Sequence, residues 1–227
     1  MTATPPMRRY LQGTLDYFCG IYCVINALSC LNNLNLHQGR QMLADALLEI
    51  SDNTLLLNRF LYNETDHYWV VAHMLERYAG PYPHKITWSQ PLGKPWCPAP
   101  EGGGLFPPPL HIRPNHLYLP EEPPSGDEDR VQAQLWETIA GWLAPNTANR
   151  YSRMVIFRFH RFLPGEKAPI ISHWTTGCKV QGQMLSLFDA SGEINAMHAI
   201  PRDCLLEAAN RLRQVRIVPE SVILLKK

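Results

Sequence analysis

Apolar residues recur at helical spacing in the first half of the chain, and the pattern shifts to period two after about residue 150. Ile21, Val24, Ile25 and Leu28 lie on one face of a helix predicted over residues 16–31, which Asn32, Asn33 and Asn35 end. A second helix is predicted over 37–50, with Met42, Ala46, Leu47 and Ile50 inward. A third runs from Asp66 to Tyr78 and closes at Gly80-Pro81. A fourth runs from about Asp127 to Leu143, with Val131, Leu135, Ile139 and Trp142 on one side. The run Met154–Phe159 then reads as a strand. Ile170–Lys179 and Gln183–Asp189 form a hairpin, and Arg213–Pro219 and Val222–Leu225 supply one or two closing strands. Helices first and an antiparallel sheet afterwards define an α+β arrangement.

Residues 80–125 break this order. They carry thirteen of the chain's 20 prolines and the run Gly102-Gly103-Gly104, so little regular structure is expected there. The same stretch holds Trp88, Trp96, Phe106, Ile112, Leu117 and Tyr118, more large apolar groups than a linker needs. An ordered loop packed over the domain and a flexible insertion both fit this composition. The expected organisation is a single domain, 1–227, with a proline-rich insertion at about 80–125.

With 45% hydrophobic residues the chain carries enough apolar surface for a sizeable core. The net charge of +1 and the lack of a long basic run argue against a nucleic-acid partner. No apolar run reaches membrane-spanning length, so no membrane partner is expected. Arg8 and Arg9 precede no apolar stretch, so the N-terminus does not read as a secretory signal. A cytoplasmic location is the default expectation, and export as a signal-less bacterial effector fits equally. The six cysteines include no CxxC pair and are expected to be reduced.

Chemistry concentrates in two segments. In Gln12-Gly13-Thr14-Leu15-Asp16-Tyr17-Phe18-Cys19-Gly20, a cysteine stands at a predicted helix start, where unpaired N–H groups and the helix dipole favour a thiolate. Gly20 leaves room for a substrate carbonyl. Gln12 lies where its amide and the Cys19 N–H would together hold an oxyanion. Cys23 and Cys30 belong to the apolar interior of the same helix. In the hairpin, a three-residue connection Val180-Gln181-Gly182, with Gly182 left-handed, sets His173 directly opposite Asp189 on one face. There the carboxylate would fix the imidazole tautomer and stabilise its charged form. A two-residue loop would put the pair one out of register. Trp174 points the other way, either into the core or over the His–Asp bond. His67 and His73 are six apart, on different helix faces, which argues against a metal site.

Gln12, Cys19-Gly20, His173 and Asp189, in this order, resemble the papain-like cysteine peptidases, with a closer likeness to the bacteriocin-processing, C39-like type. The resemblance implies a helical subdomain carrying the nucleophile and an antiparallel sheet carrying histidine and acid. It implies Cys19 as nucleophile, His173 as general base and then acid, Asp189 as its orienter, and Gln12 as oxyanion donor. It also implies a protein or peptide substrate and no cofactor. Phe18 stands where the C39-like group often has Asp, and Ala190 where it often has Pro. Peptide or isopeptide hydrolysis, deamidation or transglutamination of protein glutamine, and a non-catalytic binding role on the same scaffold are the functions to be separated.

Overall fold

The computed structural model describes residues 18–52, 54, 57–58, 68–79, 86–89, 128–147, 150–164, 166, 168–190, 197–207 and 213–227. Within them lie four helices: α1 (Cys19–Asn32), α2 (Leu36–Ser51), α3 (Tyr68–Ala79) and α4 (Glu128–Leu143). Seven strands form one sheet: β1 (Thr87–Ser89), β2 (Arg153–Arg161), β3 (Ile171–Gln181), β4 (Met184–Leu187), β5 (Ala199–Pro201), β6 (Val215–Ile217) and β7 (Ile223–Lys226). The strand order is β1-β7-β2-β3-β4-β5, with β6 also paired to β2, and every pairing is antiparallel. The α+β expectation therefore holds. Most of the proline-rich stretch lies outside the described residues, but Thr87–Ser89 pairs with β7 as a strand where little regular structure was expected.

Helix boundaries follow local chemistry. α1 ends because Asn33 adopts the left-handed conformation, φ 53°, and donates its N–H to the Ser29 carbonyl. Two residues on, Asn35 starts α2 with a capping box. Its side chain accepts from the Gln38 N–H at 3.0 Å, while Gln38 Oε1 accepts from the Asn35 N–H at 2.9 Å.

The sheet is covered on both faces. Met154 and Ile156 of β2, with Trp174 and Cys178 of β3, pack in one core with α1, α2 and α3. Val155, Phe157 and Phe159, with Leu185 and Leu187 of β4, pack in a second core with Leu135, Trp136, Ile139 and Leu143 of α4. The alternation along β2 is the period-two pattern of a strand buried on both sides. α1 is buried along nearly its whole length. Ile21, Ile25 and Leu28 are almost fully enclosed, and each contributes about 1.5–3 kcal/mol by leaving water.

Two buried side chains serve the sheet as backbone would. Gln132 of α4 donates Nε2–H to the Ile217 carbonyl at 2.8 Å and accepts the Ile217 N–H at 2.9 Å, acting as a ladder partner for β6. Asn146, after α4, donates to the Cys178 carbonyl at 2.8 Å and accepts the N–H groups of Ser152 and Arg153. It thereby joins the start of β2 to the middle of β3. Among the described residues no helix is long and apolar enough to cross a membrane.

Candidate active site

The β3–β4 hairpin differs from the expected geometry in an informative way. Its turn is two residues, Gly182-Gln183, between the paired Gln181 and Met184, with Gly182 at φ +58° as anticipated. That turn alone would set His173 and Asp189 three positions out of register, on opposite faces. An irregularity between Gly177 and Lys179 inserts Cys178 as an extra residue on β3 and shifts the pairing to Gly177↔Leu187. Phe188 then donates its N–H to the Thr176 carbonyl at 2.7 Å. Continued by one residue, this register sets Asp189 across from Thr175, not from His173. His173 and Asp189 still share a face, but they meet on a diagonal, two positions apart.

The bulge sits where the strands crowd. A Cβ on Gly177 would lie 2.7 Å from Val155 Cγ1 and 3.3 Å from Phe157 Cε1, so only glycine fits beside these two side chains. Trp174, next to His173, is in the core against α1, one of the two positions left open for it.

His173 Nε2 and Asp189 Oδ1 are 2.8 Å apart. Thr175 Oγ1 donates to the same carboxylate oxygen, also at 2.8 Å. The Phe159 ring and the imidazole pack at a steep angle, 79°, with centroids 5.7 Å apart. The third member comes from α1, whose first residue is Cys19. Its thiol shares a hydrogen bond with the His173 ring. With Nε2 engaged by Asp189, Nδ1 is the nitrogen left for the sulfur. Among the described residues the β3–β4 ladder ends at Leu187, so at the level of His173 the strand is paired with β2 alone.

The electrostatics follow from this contact set. Burial disfavours a charged imidazole, but hydrogen bonds to Asp189 and Cys19, with their negative charge, outweigh it and push His173 up to about 10. Burial also opposes charge on Asp189. The bond and charge of His173, with donation from Thr175 and the Ala190 backbone, hold its carboxyl below the usual range. The pair is therefore imidazolium and carboxylate at neutral pH. Cys23, one turn further along α1, behaves oppositely. Burial, then the negative charges of Cys19 and Asp189, push its thiol well up, and it donates to the Gly20 carbonyl at 3.0 Å. Of these two thiols, Cys19 is the one that meets the imidazole.

Among the described residues, Phe18 makes no side-chain cap bond and no acidic residue lies in the first turn of α1, and a sulfur at this end of the helix lies in the positive field of its dipole. Gln12, the expected oxyanion donor, lies outside the described residues. Cys19, His173 and Asp189, drawn from positions 170 residues apart in sequence, are thus brought together. Thr175, Thr176 and Asn146 were not singled out in the sequence: threonines on a strand read simply as β-formers, and an asparagine after a helix reads as a loop residue. None of the described cysteines is in a disulfide. Among the described residues no group of three His, Cys, Asp or Glu side chains is placed to hold a metal ion. His73 Nε2 instead lies 3.3 Å from a Glu49 carboxylate oxygen of α2, and burial lowers the imidazole's pKa, which favours its neutral form. No protein-family model, curated protein or solved structure matches the chain.

Proposed function

We propose that the protein is a cysteine hydrolase of papain-like type, acting on a peptide or isopeptide bond through Cys19, His173 and Asp189. One observation carries the reading: a single imidazole is shared between a buried carboxylate at 2.8 Å and a thiol at a helix N-terminus. The order of parts supports the family likeness, with the nucleophile on a buried helix, the base on a strand, and the acid just past the next strand.

In this mechanism His173 carries the proton and Cys19 is the thiolate. The sulfur attacks the carbonyl carbon, a C–S bond forms, and the π electrons move to oxygen. N–H groups at the start of α1, with the Gln12 amide proposed from the sequence, stabilise that oxyanion. As the C–N bond breaks, the imidazolium proton passes to the departing nitrogen. The resulting thioester is attacked by water, whose proton goes to His173. Collapse expels the thiolate, releases the acid and restores the ion pair. Asp189 keeps the ring oriented and its charged form favoured throughout.

Alkylation of Cys19 by iodoacetamide, followed by peptide mass spectrometry across pH, tests the ion pair. Fast labelling at about pH 6, well below the ordinary thiol range, and its loss in His173→Ala are expected. Labelling that follows an ordinary thiol titration overturns the reading. Turnover that survives Cys19→Ala would overturn it equally. A new N-terminus marks peptide cleavage, whereas ammonia release would redirect the same site to glutamine chemistry.

A further inference from the structure

We propose that Thr175 and Thr176 are a pair of positioning residues that set the three parts of the site in register, Thr175 by holding Asp189 and Thr176 by fastening the nucleophile helix to β3. The proposal rests on the cysteine-hydrolase reading. The two side chains are neighbours on one strand, so they point to opposite faces of the sheet. Both are completely buried. A buried hydroxyl without a partner is costly, so each must find an acceptor. The acceptors found are the acid of the site and the helix of the nucleophile.

Thr175 Oγ1 donates to Asp189 Oδ1 at 2.8 Å, the oxygen that also faces His173 Nε2 at 2.8 Å. Two donors converging on one oxygen stop rotation of the carboxylate about its last bond. The β-branch of threonine makes the hydroxyl a stiff point of support. The diagonal placement of His173 and Asp189 creates the need for it: Thr175 occupies the position directly across from the acid and fills the gap between them.

Thr176 Oγ1 donates to the Cys23 carbonyl at 2.9 Å, across a sequence separation of 153 residues. Cys23 lies one turn beyond Cys19, so this bond fixes the height of the nucleophile along β3. The Thr176 carbonyl accepts the Phe188 N–H at 2.7 Å, which fixes the residue immediately before Asp189. Thr176 therefore holds the helix through its side chain and the acid-bearing segment through its backbone. Neither hydroxyl serves the nucleophile, the base or the substrate directly, so both act through other groups.

The test uses the full chain and the variants Thr175→Val, Thr175→Ser, Thr176→Val and Thr176→Ser. Valine keeps the shape and removes the hydroxyl, and serine keeps the hydroxyl. The titratable groups facing the imidazole are Cys19 and Asp189, with Cys23 beside them. Carboxyl-carbon NMR should show the Asp189 titration moving up by about one pH unit in Thr175→Val and returning in Thr175→Ser, because a donor to the ionised form has been lost and restored. In Thr176→Val, iodoacetamide labelling of Cys19 should slow about tenfold at about pH 6 and stay unchanged at about pH 10, where thiols ionise unaided. Thr176→Ser should restore it. Mere loosening of the fold would instead speed labelling at both pH values. An unmoved Asp189 titration in Thr175→Val overturns the role of Thr175. Labelling of Thr176→Val that is unchanged, or faster at both pH values, overturns that of Thr176. If Cys19 of the unmodified protein titrates as an ordinary thiol, the hydrolase reading fails and the role of Thr176 fails with it, while the Asp189 titration still decides whether Thr175 holds the carboxylate.

Discussion

Asn146 holds the carbonyl of Cys178, the extra residue of β3, from the loop that leaves α4. The same amide accepts two N–H groups at the start of β2. It therefore clamps the bulge that returns His173 and Asp189 to a common face. Asn146→Ala removes a buried network and should cost about 2–4 kcal/mol of stability, read as a lower urea midpoint. Its second effect is local: the Asp189 titration should rise toward the ordinary carboxylate range as the diagonal contact loosens.

Parity is the part of this hairpin that could be read in the sequence, and the path to it could not. His173 and Asp189 share a face either through a three-residue loop or through a two-residue turn plus one bulged residue. The first sets the pair directly opposite, and the second sets it on a diagonal two positions apart. The bulge is set by long-range partners, Asn146 behind Cys178 and Val155 beside Gly177, which no local pattern reveals. The long elements were legible for a simpler reason. α1, α2 and β2 run for 14, 16 and 9 residues, long enough for their apolar pattern to show. β1 and β5 are three residues each, and β5 ends in Pro201, so no period could show. Cys19, His173 and Asp189 stood out as chemistry, whereas the hydroxyls supporting them look like ordinary strand residues.

Gly177→Ala provides a packing test of the same region. The added methyl would press on Val155 Cγ1, and a β-branched side chain in a ladder has little room to yield. A loss of about 1–3 kcal/mol is expected from thermal or denaturant unfolding. The companion Gly141→Ala, on the helix face where a Cβ meets nothing within 4 Å, should be neutral or slightly stabilising.

Stability should peak near pH 6.5, because two histidines shift in opposite directions. His173 is pushed up to about 10, so the folded protein holds a proton that the unfolded chain releases above about pH 6.5, and stability falls from there toward pH 10. His160 is pulled down to about 4, by burial and then by Arg158 and Arg216. Below about pH 6.5 the unfolded chain takes up a proton that the folded protein refuses, so stability falls toward pH 4. Unfolding midpoints measured across this range should flatten on the alkaline side in His173→Gln and on the acid side in His160→Gln. In the unmodified protein, stability that fails to fall toward pH 10 would contradict the His173 assignment, and stability that fails to fall toward pH 4 would contradict that of His160.

Asp189→Asn should separate orientation from charge. The amide keeps the shape but no longer stabilises an imidazolium, so His173 should titrate well below its present value. Turnover, or low-pH labelling of Cys19 in its place, should fall on the order of a hundredfold or more while the fold persists. A variant that labels like the unmodified protein would show that the carboxylate is structural only.

The amide of Gln132 has a consequence outside the site. It takes both main-chain groups of Ile217, the positions at which an approaching extended chain would dock on β6. An α-helical side chain thus acts as a permanent decoy for strand addition at Ile217, beside the charged Arg216 of the same strand. Replacing Gln132 with leucine would leave a buried-edge template open, and the first symptom should be self-association on partial unfolding rather than loss of chemistry.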